Sequence, residues 1–231
     1  MPFHVKLEGF QKRTEETLEF HVKRPPGEAR HSEISRAASV LGLELTDPVV
    51  ARLAELATLL RADAVRLGLV AEGDAAAVLQ RHVLDSLRVV PEVARGDRSV
   101  IDVGSGAGLP GLVIATALPH LRVELVEPRR RAVAFLELAM ERLGTANALV
   151  TAGRVDEIGP RAADLVTTRA FAPLERSWAV AAPLLRPGGR LAYFAGAHQR
   201  VPEGAQEASG IDVRPGVLVD SSGPLVIITR Q

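Results

Sequence analysis

Between Asp47 and Val90 the apolar residues recur at helical spacing. In DPVVARLAELATLL, Val49, Leu53, Leu56 and Leu60 share one face, the pattern of an amphipathic helix laid on a core. Asp47 reads as its N-cap and Pro48 as its first helical residue. A second such run, AAAVLQRHVLDSLRVVP (75–91), stops before Pro91. From residue 99 the pattern changes to short apolar runs that read as strands: SVIDV (99–103), RVELVE (122–127), ALVTA (148–152), ADLVTTRA (163–170), GRLAYFA (189–195), IDVRPGVLV (211–219) and PLVIITR (224–230). Helical stretches at 110–118, 129–143, 154–159 and 173–185 separate the first five. Apolar rather than alternating strands are covered on both faces. Strand–helix alternation therefore predicts an α/β fold with a doubly wound, mainly parallel sheet. Only DSSG (220–223) joins the last two strands, so they form a C-terminal hairpin with one strand antiparallel. The expected organisation is a helical region over 37–95 and a Rossmann-like domain over 96–231.

Residues 1–36 do not fit either period. Seven Lys and Arg against six Glu leave them nearly neutral, and RPPGEARHS (24–32) reads as a linker in a solvated, partly disordered lead. The chain has 231 residues, 47% of them hydrophobic, which is enough for one sizeable core. Its formal net charge is zero and it has no cysteine, which excludes disulfides, thiolate metal sites and cysteine nucleophiles. The opening MPFHVKLEGFQKRTEE lacks the apolar run of a signal peptide, and no apolar stretch approaches membrane-spanning length. A cytoplasmic protein with no membrane association is expected.

The candidate chemistry begins at SVIDVGSGAGLPGLVIA (99–115). From Gly106, GAGLPG matches the dinucleotide fingerprint, but that fingerprint needs its first glycine directly after the strand. Gly104 holds that place, and Leu109 then stands where a dinucleotide fold wants its third glycine. No Gly-Lys-Ser/Thr follows, so the loop is not a Walker A loop. Glu127 ends the second strand candidate, 23 residues beyond Gly104, where a carboxylate can take both ribose hydroxyls of an adenosyl group. GRVDEI (153–158) follows the third, with Asp156 and a backbone amide available to an adenine edge. Together with the terminal hairpin these features favour S-adenosyl-L-methionine over a nicotinamide cofactor, and a class I methyltransferase fold.

RHVLDSL (81–87), IDVGSGAGLPGLVIA, VEPRRRAVAFLELAMERLG (126–144), GRVDEI and TTRAFAPLE (167–175) resemble the RsmG family, also called glucose-inhibited division protein B. The resemblance covers about residues 50–200. It implies methylation of N7 of a guanine, guanine 527, in 16S ribosomal RNA, with the RNA or the small ribosomal subunit as partner. It places cofactor contacts on Gly104, Leu109, Glu127, Val155, Asp156 and Arg169, with Gly106 in the same loop. Two departures stand out: Ala195, in YFAGA (193–197), replaces a family lysine, and the usual Asn-Leu-Thr before the RH motif is missing.

The remaining candidates keep two readings each. His82 and Asp85 lie at i, i+3 on one helix face, either buttressing the glycine loop or lining a substrate cleft near the cofactor's methionine end. Arg169 ends the fourth strand candidate, either in a structural ion pair or touching cofactor carboxylate or RNA. His82 and Arg169 are thus the catalytic candidates, although N7 of guanine needs no strong base. Residues 161–200 hold six arginines against Asp164 and Glu175, and this net +4 marks Arg186 and Arg190 as a candidate RNA face. Phe171 and Trp178 are candidate stacking surfaces. The histidines show no metal-ligand spacing, so no metal is expected, and a monomer is. A small-molecule methyltransferase and a non-catalytic RNA-binding module are the alternatives.

Overall fold

The structure is a computed structural model that describes residues 26–196, 210–216 and 222–231. The polar residues 1–25, the end of the strand expected at 211–219, and half of the DSSG connection lie outside the described residues. Seven strands form one sheet: β1 (Ser99–Val103), β2 (Arg122–Glu127), β3 (Ala148–Ala152), β4 (Ala163–Arg169), β5 (Leu185–Phe194), β6 (Ile211–Arg214) and β7 (Leu225–Thr229). Their order is β3-β2-β1-β4-β5-β7-β6. The first five pair in parallel, and β7 runs antiparallel to both β5 and β6. The terminal hairpin therefore inserts its second strand between β5 and β6.

Helices α1 (Pro26–Val40) and α2 (Asp47–Leu59) precede the sheet. A tight turn at Glu72–Ala77 and a wide turn at Leu79–Leu84 lead into the short α3 (Asp85–Leu87). The later helices are α4 (Gly111–Ala117), α5 (Arg130–Leu143) and α6 (Leu174–Ala181). Alternate strand residues feed two cores. Val100, Val123, Leu125, Leu165 and Phe194 pack with the helices that precede α6, whereas Ile101, Val103, Val126, Val166 and Tyr193 pack beneath α6. The fourth glycine of the loop is explained here: a Cβ on Gly111 would stand 2.2 Å from Leu125 Cδ2 and 2.8 Å from Asp102 Oδ2. Only glycine lets α4 settle this close to β1 and β2.

Three local expectations are corrected. Of the linker expected at 24–32, residues 26–32 are instead the start of α1, which opens on Pro26 and buries Ile34, Ala37 and Ala38. One narrow apolar stripe suffices because α2 and the turn at Leu79–Leu84 cover it. The helix expected at 154–159 is a turn, since Gly153 and the Gly159–Pro160 pair leave too few residues for a stable helix. The cap of α2 is Thr46 rather than Asp47, which is the first helical residue.

Candidate functional site

Between β1 and β4 the order of strands reverses direction, and open α/β sheets bind ligands at the carboxyl ends of the strands at such a point. Gly104, directly after β1, has φ +71°, Gly106 +55° and Gly108 +82°, a region open to glycine without steric cost. The turn is pinned to β2: the Gly104 and Ser105 amides both donate to the Val126 carbonyl, at 2.9 and 3.1 Å. Phe171, two residues beyond β4, covers the loop so closely that a Cβ on Gly104 would lie 2.8 Å from its ring. Leu109 is partly buried and packs against the core.

Glu127 is the acceptor at the centre of this arrangement. Its Oε2 receives the Gly106 amide at 2.8 Å, and its Oε1 receives the backbone and Nε of Arg129 at 3.0 and 2.8 Å. Burial pushes this carboxyl up, but the Arg129 guanidinium and amide with the Gly106 amide outweigh it and hold the pKa below the usual carboxylate range. The group is therefore ionised at neutral pH and presents a fixed charge at the end of β2. The Arg129 side chain is half exposed, whereas that of Glu127 is buried.

Two spaces adjoin Phe171. The smaller, about 170 Å³, is lined by Val103, Gly104, Val126, Pro128, Val155, Asp156 and Arg176 among others. Asp156 stands at its rim, exposed and paired with Arg154 at 3.0 Å. The larger is a cleft of about 630 Å³ with Asp74, His82, Asp85, Arg169, Tyr193 and Phe194 in its wall, and Ala195 at its edge. Ala170, between Arg169 and Phe171, has φ +49°. A non-glycine residue held there is strained, and such strain is kept where a surrounding structure enforces a particular turn.

Arg169 is a keystone. It donates to the carbonyls of Arg81 and His82 at 2.7 and 3.2 Å and to Ser86 Oγ at 2.9 Å, and its Nη2 lies 3.1 Å from Asp85 Oδ2. Its ring neighbour is Phe194, 5.6 Å away. Asp85 also accepts from Arg88 at 2.7 Å and Ser222 at 2.6 Å, and Arg88 reaches the Gly223 carbonyl at 2.9 Å. Neither Asp85 nor His82 buttresses the glycine loop. Asp85 joins the helical region to β4 and to the hairpin, while His82 faces the larger cleft with Nε2 3.5 Å from Asp74 Oδ2. Burial and the nearby Arg169 charge push the His82 pKa down, so the ring is neutral at pH 7.

The expected RNA face at Arg186 and Arg190 is corrected. Arg186 stands at the start of β5 and Arg190 pairs with Leu165 near the start of β4, whereas the loop and clefts lie beyond the ends of the parallel strands. They are also neutralised: Arg190 pairs with the buried Asp97, and Arg186 donates to Asp164 at 2.6 Å. Burial raises the Asp164 pKa, but Arg186 and the Arg98 and Ser99 donors bring it down to about 2. The net +4 counted along the chain is thus cancelled in part by Asp97, which lies far away in sequence.

Comparison with known proteins follows the same lines. A family model described as GidB, rRNA small subunit methyltransferase G, matches residues 50–209. The chain belongs to this family. The Ribosomal RNA small subunit methyltransferase G of Salinispora tropica is 43% identical over 164 residues, covering 68% of this chain and 67% of that relative. The methyltransferase G of Neisseria meningitidis serogroup A is 31% identical over 209 residues, covering 87% of this chain and 99% of the relative. Among solved structures, a methyltransferase from Geobacter sulfurreducens shares the fold with TM-score 0.52 at 15% identity, over 85% of this chain and 96% of that one. A SAM dependent methyltransferase from Aquifex aeolicus does so with TM-score 0.51 at 19% identity, over 73% and 99%.

For a methyltransferase G chain, sequence reasoning missed Asp102, Asp74 and Ser222. Asp102 is 1% exposed under the loop, accepting from Thr167 Oγ1 at 2.6 Å and the Gly111 amide at 3.3 Å. A carboxylate in the apolar run VIDV was the available signal. Nothing along the chain pointed to Asp74 or Ser222, which reach the cleft from separate turns.

Proposed function

We propose that the protein transfers a methyl group from S-adenosyl-L-methionine to N7 of a guanine in 16S ribosomal RNA. The observation that carries this reading is the pair of spaces meeting at Phe171, one over the glycine loop and one walled by His82, Arg169 and the aromatic residues of β5. The smaller space fits an adenosyl group by its chemistry. Half-buried Val155 and Phe171 offer apolar faces for a base, Asp156 an acceptor for its amino edge, and Glu127 an ionised acceptor for ribose hydroxyls once Arg129 swings away. Both spaces are lined by one chain, so the reading needs no second copy.

S-adenosyl-L-methionine supplies the electrophilic methyl group when bound. Guanine N7 carries its own lone pair, so no side chain has to remove a proton before attack. What this chain supplies is orientation. Arg169 acts as a positioning residue through its bonds to the Arg81 and His82 carbonyls and Ser86 Oγ, and half-buried Phe171 offers aromatic surface to a base. Neutral His82 adds no charge to a cleft in which positive charge passes from sulfur to the purine. Arg130 and Arg131, exposed at the start of α5, and Arg176 beside the smaller space supply the phosphate contacts in place of Arg186 and Arg190.

Glu127→Ala is expected to lower cofactor affinity about tenfold or more, since hydrogen bonds to a charged group contribute about 1.5–3 kcal/mol. Calorimetric titration reads this directly, and unchanged affinity would remove Glu127 from the site. Gly106→Val is expected to abolish binding while the far-ultraviolet circular dichroism stays native, because φ +55° is strained for a branched residue. Retained affinity would mean that the loop does not meet the ligand.

The function itself is tested by nucleoside analysis of 16S ribosomal RNA from a deletion strain before and after complementation. 7-Methylguanosine should be missing and then restored. Its presence at the wild-type level in the deletion strain would overturn the reading. RNA affinity should fall steeply with salt and cofactor affinity should not, because only the RNA releases condensed counterions.

A further inference from the structure

We propose that Asp74 selects the target base, by accepting hydrogen bonds from the N1–H and N2 amino group of guanine. The inference rests on the larger cleft being where the base sits. Among the described residues two carboxylates line that cleft, Asp74 and Asp85. Asp85 is saturated: Arg88 and Ser222 both donate to Oδ1, and the Arg169 guanidinium lies 3.1 Å from Oδ2. Asp74 is half-used. Arg81 donates to its Oδ1, while its Oδ2 has His82 Nε2 at 3.5 Å and no hydrogen bond among the described residues. His82 Nε2 is itself buried without a hydrogen-bond partner. The cleft wall thus holds a ring nitrogen buried without a hydrogen-bond partner, which is rare for a buried polar group, beside a part-exposed carboxylate oxygen that is open to a ligand in the cleft.

The chemistry of the reaction says what should meet them. Adenine and guanine both carry N7, so the atom that is methylated cannot identify the base. N7 must face the methyl group, which leaves the opposite edge for recognition. There guanine presents two donors, N1–H and N2–H, whereas adenine presents a bare acceptor at N1. A carboxylate placed against N1 and C2 accepts two hydrogen bonds from guanine, whereas on adenine it meets the N1 lone pair and a C2–H. Methylation at N7 also leaves positive charge on the purine, which strengthens those donors. The same contact is therefore tighter in the transition state than in the ground state, the condition for raising the rate.

The test uses the full-length protein and 16S ribosomal RNA reconstituted into small subunits with guanosine or inosine at the methylated position. Inosine keeps N7, O6 and N1–H and lacks only the 2-amino group. The wild type should methylate the inosine substrate about tenfold or more slowly, the usual scale for losing a hydrogen bond to a charged group. Asp74→Asn should be slower on guanosine and should no longer distinguish it from inosine. S-adenosyl-L-methionine affinity and melting temperature should stay at the wild-type values, and Asp74→Ser serves as a second variant should the asparagine protein prove unstable. The inference is overturned if either variant keeps the wild-type guanosine-to-inosine ratio. It is equally overturned if activity falls only in step with cofactor affinity. A wild-type protein that makes no 7-methylguanosine in 16S ribosomal RNA is a different result, and overturns the proposed function instead.

Discussion

Arg190→Glu is expected to destabilise the fold and not to act on RNA directly. Asp97, its partner, is 1% exposed and receives the Ala94 amide at 2.8 Å. Arg186 is the next cation, 3.9 Å away, with its side chain 43% exposed. Removing one partner of a buried ion pair leaves an uncompensated charge, at a cost of about 3–5 kcal/mol. Reversal adds a second carboxylate beside the first. Against a total stability of about 5–15 kcal/mol, such a loss brings a sizeable unfolded fraction. Urea unfolding of wild type and variant measures it. Arg186→Glu should cost less, because its pair with Asp164 is more exposed to solvent and screened by it. An Arg190→Glu protein of wild-type stability with weakened RNA affinity would return this edge of the sheet to the RNA.

The error at Arg186 and Arg190 shows what a linear reading omits. Charge was summed over 161–200, but a parallel sheet separates the residues that open a strand from those that end it by the strand's whole length. Arg169 ends β4 and reaches the cleft, whereas Arg190 lies level with Leu165, near the start of β4, and pairs with Asp97. Strand direction was legible, and it assigns the two arginines to opposite edges. Partners were not: Asp97 and Asp85 lie 93 and 84 residues before the arginines they meet.

The glycine loop was legible for a different reason. Its conformation is imposed locally: the strand ends at Val103, and the chain then turns through positive φ at Gly104, Gly106 and Gly108. Glu127 was legible by the same logic, as a carboxylate at the end of the neighbouring strand, and it receives the Gly106 amide. The role of Arg169 was only half legible. Its position at the end of β4 pointed to the site, yet most of its donors hold the 81–86 backbone in place. Helix α1 was illegible because its sequence is charged on most faces and its stability comes from packing against α2.

Asp102→Asn is expected to flatten a pH dependence of stability that the wild type carries. Burial pushes the Asp102 carboxyl up to about 6, and the donors from Thr167, Ser105 and Gly111 offset this only partly. In the unfolded chain the same group titrates near 3.8. Because the folded pKa is the higher one, the fold favours the protonated acid. That stability is fully present below about pH 4 and is lost as pH rises through about 6. A shift of this size is worth on the order of 3 kcal/mol between the two ends of the window. Asparagine cannot ionise, and it keeps both contacts: its oxygen accepts the Gly111 amide and its amino group donates to Thr167 Oγ1, whose hydroxyl rotates. The difference in unfolding free energy between variant and wild type should therefore move in favour of asparagine by about 2 kcal/mol from pH 4 to pH 7.5. Urea unfolding across that range measures the difference directly, and other titrating groups cancel in it. A difference that stays constant with pH would mean that Asp102 ionises as readily in the fold as in the unfolded chain, and that the contact beneath the glycine loop carries no buried charge penalty.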